Sequence, residues 1–205
     1  MATYDIRPLQ LRIKKILLAL DSVCKEHNLR YYLWAGTMLG AVRHGGFIPW
    51  DDDLDIAMPR KDYDLLMRNA RDWMPQPYEI VSHETDPDHY PLPFAKIQDS
   101  STTLIERMHL SYLGGIYLDL FPLDGMPASV LQRRMHFMRY QWYKKMLYYV
   151  HRDPYRHGHG PSSWAFLLCR KIYTLQGIQK TISQIQRAYD YDKCDYCVDH
   201  DDGLK

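Results

Sequence analysis

Four aspartates fall within five positions, at Asp51, Asp52, Asp53 and Asp55, and Ile48, Pro49, Trp50, Leu54 and Ile56 surround them. A solvated acidic turn would not be hemmed in by apolar residues, so the stretch reads as a half-buried strand bordering a cleft. On a strand, residues two apart share a face. Asp53 and Asp55 then project together while Leu54 and Ile56 enter the core. Two carboxylates on one face repel unless a cation lies between them, and hard oxygen ligands suit Mg²⁺ or Mn²⁺ completed by a substrate phosphate. An EF-hand calcium loop is excluded, because its sixth position would be Ile56 instead of Gly and its twelfth Asp62 instead of Glu. A helix cap would use one aspartate, not four. The expectation is an α/β protein with a divalent-metal site.

The residues upstream turn that site toward phosphate chemistry. Gly36-Thr37, between a predicted strand and a predicted helix, offers backbone N–H groups and a hydroxyl at a helix N-terminus, where phosphate binds. Arg43 and His44 follow one helical length later, and the Gly45-Gly46 turn lets backbone approach a ligand closely. Lys96 lies in a predicted strand with Ala95 and Ile97 pointing the other way, and we expect Lys96 and Arg43 to contact donor phosphates. Residues 116–121 read as a strand with Tyr117, Asp119 and Phe121 on one face. A mid-strand carboxylate among apolar neighbours is costly to bury without a partner, and no basic residue is near it in sequence. Asp119 is therefore expected within about 5 Å of Asp53 and Asp55, as a third metal ligand and as the base for an acceptor hydroxyl.

Hydrophobic patterning organises the rest. Residues 7–27 read as a helix with Leu9, Ile13, Ile16, Leu20 and Val23 on one stripe. Strands are expected at 30–34, 54–58, 78–82, 94–97, 102–106 and 116–121, with a helix beginning at Pro59. A long helix over 127–150, a His/Gly/Pro loop at 153–161 and one last helix suggest an antiparallel hairpin. The chain divides on this reading into an α/β core, 1–126, and a helical C-terminal region, 127–205, packed on it. In the long helix the stripe through Met135, Met138 and Trp142 is expected to be buried, leaving Arg133, Arg139 and Lys144 outside as a basic face for an anionic or membrane-borne acceptor.

A length of 205 residues with 46% hydrophobic and 25% charged side chains excludes a disordered chain, and a formal charge of +1 argues against nucleic acid as a partner. Four scattered cysteines do not form a disulfide framework and suit a reducing cytoplasm; no run approaches the ~18 apolar residues of a membrane span. Residues 129–159 hold seven Lys/Arg against one Asp, and residues 190–202 six Asp against one Lys; the latter reads as a solvated tail. Within that tail, Cys194, Cys197 and His200 have zinc-like spacing but lack a fourth ligand nearby.

The block GTMLGAVRHGGFIPWDDDLDIAMPRKDYDLL resembles the LicD family of phosphocholine transferases, with the fukutin-related proteins, in the nucleotidyltransferase superfamily. Gly36-Thr37 matches the superfamily's glycine turn and Asp53-Leu54-Asp55-Ile56 its acidic pair; FAKIQDSSTTLIE and GGIYLDLFPLDGMP also match. The resemblance implies a nucleotidyltransferase-like mixed sheet flanked by helices. It also implies metal-dependent transfer of a phospho-alcohol from a CDP-activated donor such as CDP-choline. The acceptor would be a sugar hydroxyl of a cell-surface glycan, as in lipopolysaccharide or teichoic acid, or its lipid-linked precursor, with CMP released. The implied location is cytoplasmic, with the inner face of a membrane as a place of contact. Family members usually continue into a Tyr-Gly-Asp-type segment that is not found here. Two other readings stay open: a nucleotidyltransferase using the same metal site, and a truncated, non-catalytic nucleotide- or partner-binding protein.

Overall fold

The computed structural model describes residues 5–105, 114–151, 154, 155 and 159–201. These form two compact units. The first takes in residues 1–81, 94–104 and 113–122, and the second residues 82–93, 105–112 and 123–205.

The first unit begins with α1 (Arg7–Glu26), followed by β1 (Tyr32–Leu33), α2 (Ala35–His44), β2 (Asp55–Pro59), α3 (Arg60–Trp73) and β3 (Tyr78–Val81). It ends with β4 (Ala95–Leu104) and the first part of β5 (Gly114–Met126). The mixed sheet runs β1-β2-β5-β4-β3, so β2 and β5 are neighbours although α3, β3 and β4 come between them along the chain. Ile13, Ile16, Leu20 and Val23 of α1 and Tyr63, Leu66 and Met67 of α3 pack on Ile56, Met58, Ile97, Leu118 and Leu120 in one buried cluster. By alternation along each strand, Asp55, Lys96, Tyr117 and Asp119 project from the sheet's opposite face. Several boundaries differ from expectation: β5 extends beyond 116–121 at both ends, and β1 is shorter than 30–34. The runs at 94–97 and 102–106 belong to one strand, β4, whose register with β5 shifts between Asp99 and Leu104; Glu106 lies outside the described residues. Pro59 ends β2 and caps α3 instead of opening it.

The second unit contains the end of β5, then α4 (Val130–His151), α5 (Pro161–Ile172), α6 (Leu175–Gln186), a short 3-10 turn (Tyr191–Lys193) and β6 (Tyr196–Val198). The single last helix expected from sequence is two helices. Tyr173 is extended, and the Thr174 hydroxyl caps α6 by accepting from the Gly177 N–H. Tyr140, Met146 and Leu147 of α4 share a core with Cys169 and with Ile178, Ile182 and Ile185 of α6. The acidic tail is not loose: β6 pairs antiparallel with β5, Asp124 opposite Val198, and His200 is 1% exposed. All four cysteines are unpaired. Of the 153–161 loop, His157 lies outside the described residues.

The apolar stripe assigned to the core side of α4 lies outside, and of the three cations expected in solvent only Arg139 is exposed. Met135, Met138 and Trp142, expected in the core, are 58%, 63% and 55% exposed. Arg133, expected in solvent, donates to the carbonyls of Pro127 and Ala128 and stacks its guanidinium over Tyr196, and Lys144 pairs with Asp201. The helix has apolar residues on more than one side, and α6 packs against the side bearing Tyr140 and Leu147. No helix among the described residues is long and apolar enough to cross a membrane.

Candidate functional site

The acidic loop is held from two sides. Gln10, 2% exposed on α1, donates its amide to the carbonyls of Ile48 and Asp51 at 3.1 and 2.9 Å. From α2, the Thr37 hydroxyl accepts the Asp55 N–H at 2.8 Å, while Trp34 N–H donates to the Asp55 carbonyl at 2.9 Å. The Gly-Thr turn and the acidic strand are thus one hydrogen-bonded unit. A Cβ on Gly36 would stand 3.3 Å from Asp51 Oδ2, which shows how closely the helix start approaches the loop. Ala35 holds a left-handed φ of 43° at this helix start, a conformation that costs a non-glycine residue roughly 1 kcal/mol or more. Gly40 lets α2 rest on the following turn, since a Cβ there would meet the Gly46 carbonyl at 2.6 Å.

Strand β2 begins only at Asp55, so Asp51, Asp52 and Asp53 lie in the irregular approach to it. Their carboxylates each offer an oxygen within 4.8 Å of the others, the only such acidic, histidine or cysteine group of three among the described residues. The expected set was Asp53, Asp55 and Asp119, and Asp53 is common to both. Burial, reinforced by the charges of Asp51 and Asp52, lifts the Asp53 carboxyl above the usual carboxylate range. Burial and like charge both penalise its ionised form, and a bound cation would relieve both.

Asp119 lies on β5 beside this loop, its N–H donating to the Leu54 carbonyl at 2.9 Å. It has a basic partner, one that is distant in sequence and comes from another strand. Lys96, its direct cross-strand neighbour, places Nζ 3.4 Å from Asp119 Oδ1 and 3.1 Å from the centre of the Tyr117 ring. Lys96 is 2% exposed on a strand flanked by β5 and β3, so it is neither an edge residue nor a surface one. Arg43 and His44 are exposed at the far end of α2, seven residues and ~10 Å along the helix axis from Gly36 and Thr37. His44 meets the exposed Trp50 ring edge-on at 6.5 Å. The structure therefore groups Gly36, Thr37 and Asp51 to Asp55, sets Asp119 and Lys96 beside them on the sheet, and puts Arg43 and His44 at the exposed far end of α2.

Sequence reasoning missed Gln10 and the Lys96–Asp119 pair. A polar residue on the buried side of an otherwise apolar helix was the available signal for Gln10; the ion pair needed the strand register. A cavity of ≈ 250 Å³ opens beside Thr37 and Asp51, with Leu17, Leu33 and Phe47 in its walls and Arg7 and Lys14 among its lining residues.

The family model described as LicD/FKTN/FKRP, nucleotidyltransferase domain, matches residues 28–157, which include every part of this site except Gln10 and the α1 wall of the cavity. The chain is 28% identical over 206 aligned residues to the lipopolysaccharide cholinephosphotransferase LicD of Haemophilus influenzae, covering 96% of this chain and 73% of that one. It is 45% identical over 40 residues to the ribitol 5-phosphate transferase FKRP of Homo sapiens and of Mus musculus, covering 20% of this chain and 8% of theirs.

Proposed function

Because this chain belongs to the LicD family of nucleotidyltransferase domains, we propose that it moves a phospho-alcohol, of the phosphocholine type, from a CDP-activated donor to a sugar hydroxyl of a cell-surface glycan or its lipid-linked precursor, releasing CMP. The observation that carries this reading is the coupling of a helix N-terminus to a carboxylate loop through the Thr37–Asp55 hydrogen bond. Anionic phosphate and divalent cation would thereby be recognised at one place. The relatives support the class of reaction: one transfers cholinephosphate and the other ribitol 5-phosphate, by name.

Asp53 and Asp55 would hold Mg²⁺ or Mn²⁺, with Asp119 of the neighbouring strand β5 as a third ligand and Asp51 and Asp52 supplying further carboxylates. The convergence of the Asp51, Asp52 and Asp53 carboxylates and the raised Asp53 carboxyl fit a cation at Asp53. Such an ion, when bound, neutralises the donor phosphates and the departing CMP. The N–H groups at the start of α2, at Gly36 and Thr37, would donate to phosphate oxygens, and Arg43, at the exposed far end of α2, would contact the outer part of the donor. The acceptor oxygen forms its bond to the transferred phosphorus while the bond from that phosphorus to CMP breaks; Asp119 takes the hydroxyl's proton. Lys96 acts from behind, keeping Asp119 ionised and aimed.

The test is product identity. With Mg²⁺, a panel of CDP-alcohols and of NTPs is offered together with glycan acceptors. Acceptor-dependent CMP release is expected. Pyrophosphate release from an NTP would mean nucleotidyl transfer instead, and binding without turnover would mean a non-catalytic nucleotide-binding protein.

A further inference from the structure

We propose that α4 and α5 of the second unit form a docking surface for an anionic lipid bilayer. Leu131, Met135, Met138 and Trp142 follow the 4-3-4 spacing of one helix face, and all four are more than half exposed. Trp164, Leu168 and Ile172 make a second row on α5 at spacing 4-4, exposed by 71%, 58% and 64%. Exposed apolar rows of this extent mark an interaction surface. The opposite side of α4 is already filled by the core it shares with α6.

Charge selects the occupant. Neither α4 nor α5 contains a single Asp or Glu. Arg134, Arg139 and Lys145 are exposed on α4, and Arg170 and Lys171 on α5. The two cations on the inner side, Arg133 and Lys144, are engaged within the unit. Apolar rows bordered only by cations, each with one tryptophan, match the interface of a bilayer with negative headgroups: the rings and Met side chains enter the headgroup boundary while the cations remain at its charged plane. A second copy of the chain fits less well, because a two-fold contact would oppose cation to cation across these faces. Neither helix crosses the membrane; both lie on it.

Vesicle co-sedimentation tests this, with phosphatidylcholine alone and with about 30% phosphatidylglycerol added. Binding to the anionic vesicles is expected, at least ten-fold tighter than to the neutral ones and weakened by salt. Met138→Ser with Trp142→Ser, and separately Arg134→Glu with Arg139→Glu, should each reduce it ten-fold or more while the thermal midpoint and far-UV spectrum stay unchanged. The charge-reversal pair alters only exposed side chains, so it keeps the test valid if the apolar pair fails to fold. No binding to anionic vesicles, equal binding to both kinds, or binding indifferent to the charge reversal overturns the proposal. So does a dimer that Met138→Ser with Trp142→Ser abolishes in the absence of lipid binding. The readout is independent of catalysis, so its failure leaves the reaction assigned above untouched.

Discussion

At Asp53, burial and two adjacent carboxylates act in the same direction, and the consequence for stability has a definite sign. A carboxyl raised in the folded state ionises first in the unfolded chain. Its contribution to stability is therefore full below the ordinary carboxylate range and is lost as pH rises through the folded value. Metal-free protein should carry this penalty at neutral pH. Asp53→Asn should raise the metal-free thermal midpoint by a few degrees and remove most of the gain seen on adding Mg²⁺. Differential scanning calorimetry with and without Mg²⁺ checks it; an unchanged Mg²⁺ response in the variant would place the cation elsewhere. Lys96 is the second residue with a distinguishing test. Lys96→Met deprives a largely buried carboxylate of this cation, at a cost of roughly 3 kcal/mol or more in stability. Asp119 would then hold its proton to higher pH, so the acidic limb of the rate profile should move upward and activity recover partly in alkaline buffer. A variant with an unshifted profile and weakened donor binding would instead put Lys96 on the donor phosphates.

Single elements show what periodicity can decide and what it cannot. Helix α1 and strands β2 and β5 have one apolar and one polar side near the site, so alternation read their faces directly, and Ile56, Leu118 and Leu120 are fully in the core. Helix α4 is apolar on more than one side, and only the packing of α6 chooses which side is inside. The break between α5 and α6 rests on a Thr174 cap within a sequence that otherwise continues a helical pattern. Gly36, Thr37, Asp53 and Asp55 were legible because they are close in sequence. The Lys96–Asp119 pair and the Gln10 anchor were not, because a strand register and a helix–loop contact bring them to the site. Helix α2 carries its own prediction. A methyl group at Gly40 would meet the Gly46 carbonyl at 2.6 Å and the backbone nitrogen of Ile48 at 3.0 Å, so Gly40→Ala must displace the loop leading to Asp51. A loss of about 1–3 kcal/mol in denaturant unfolding, with weaker Mg²⁺ affinity, is expected. Full stability with normal Mg²⁺ affinity would show that the loop does not depend on this contact.

Over the whole molecule, each of the two units has a buried apolar cluster of its own. In the second unit, His136 meets His200 through their Nε2 atoms at 2.9 Å, and His200 Nδ1 lies 3.4 Å from the buried Asp124 carboxylate. Burial first, and then the neighbouring His200, lower the His136 value to about 4. The unfolded chain takes up that proton first as pH falls, so stability should decline from about pH 6.5 towards pH 4. In His136→Gln the decline should be shallower, which thermal unfolding across this range would reveal; identical slopes would mean that His136 is not the group responsible. The first unit, by contrast, carries the site proposed for the transfer, and that proposal rests on the carboxylates at the start of β2. The most direct measurement is the rate of acceptor-dependent CMP release from CDP-choline in Mg²⁺, compared between the wild-type chain and Asp53→Asn at matched fold. The account predicts that the variant retains less than about a tenth of the wild-type rate, a barrier increase above ~1.4 kcal/mol. A variant that keeps more than that, while the wild type is active, would contradict it.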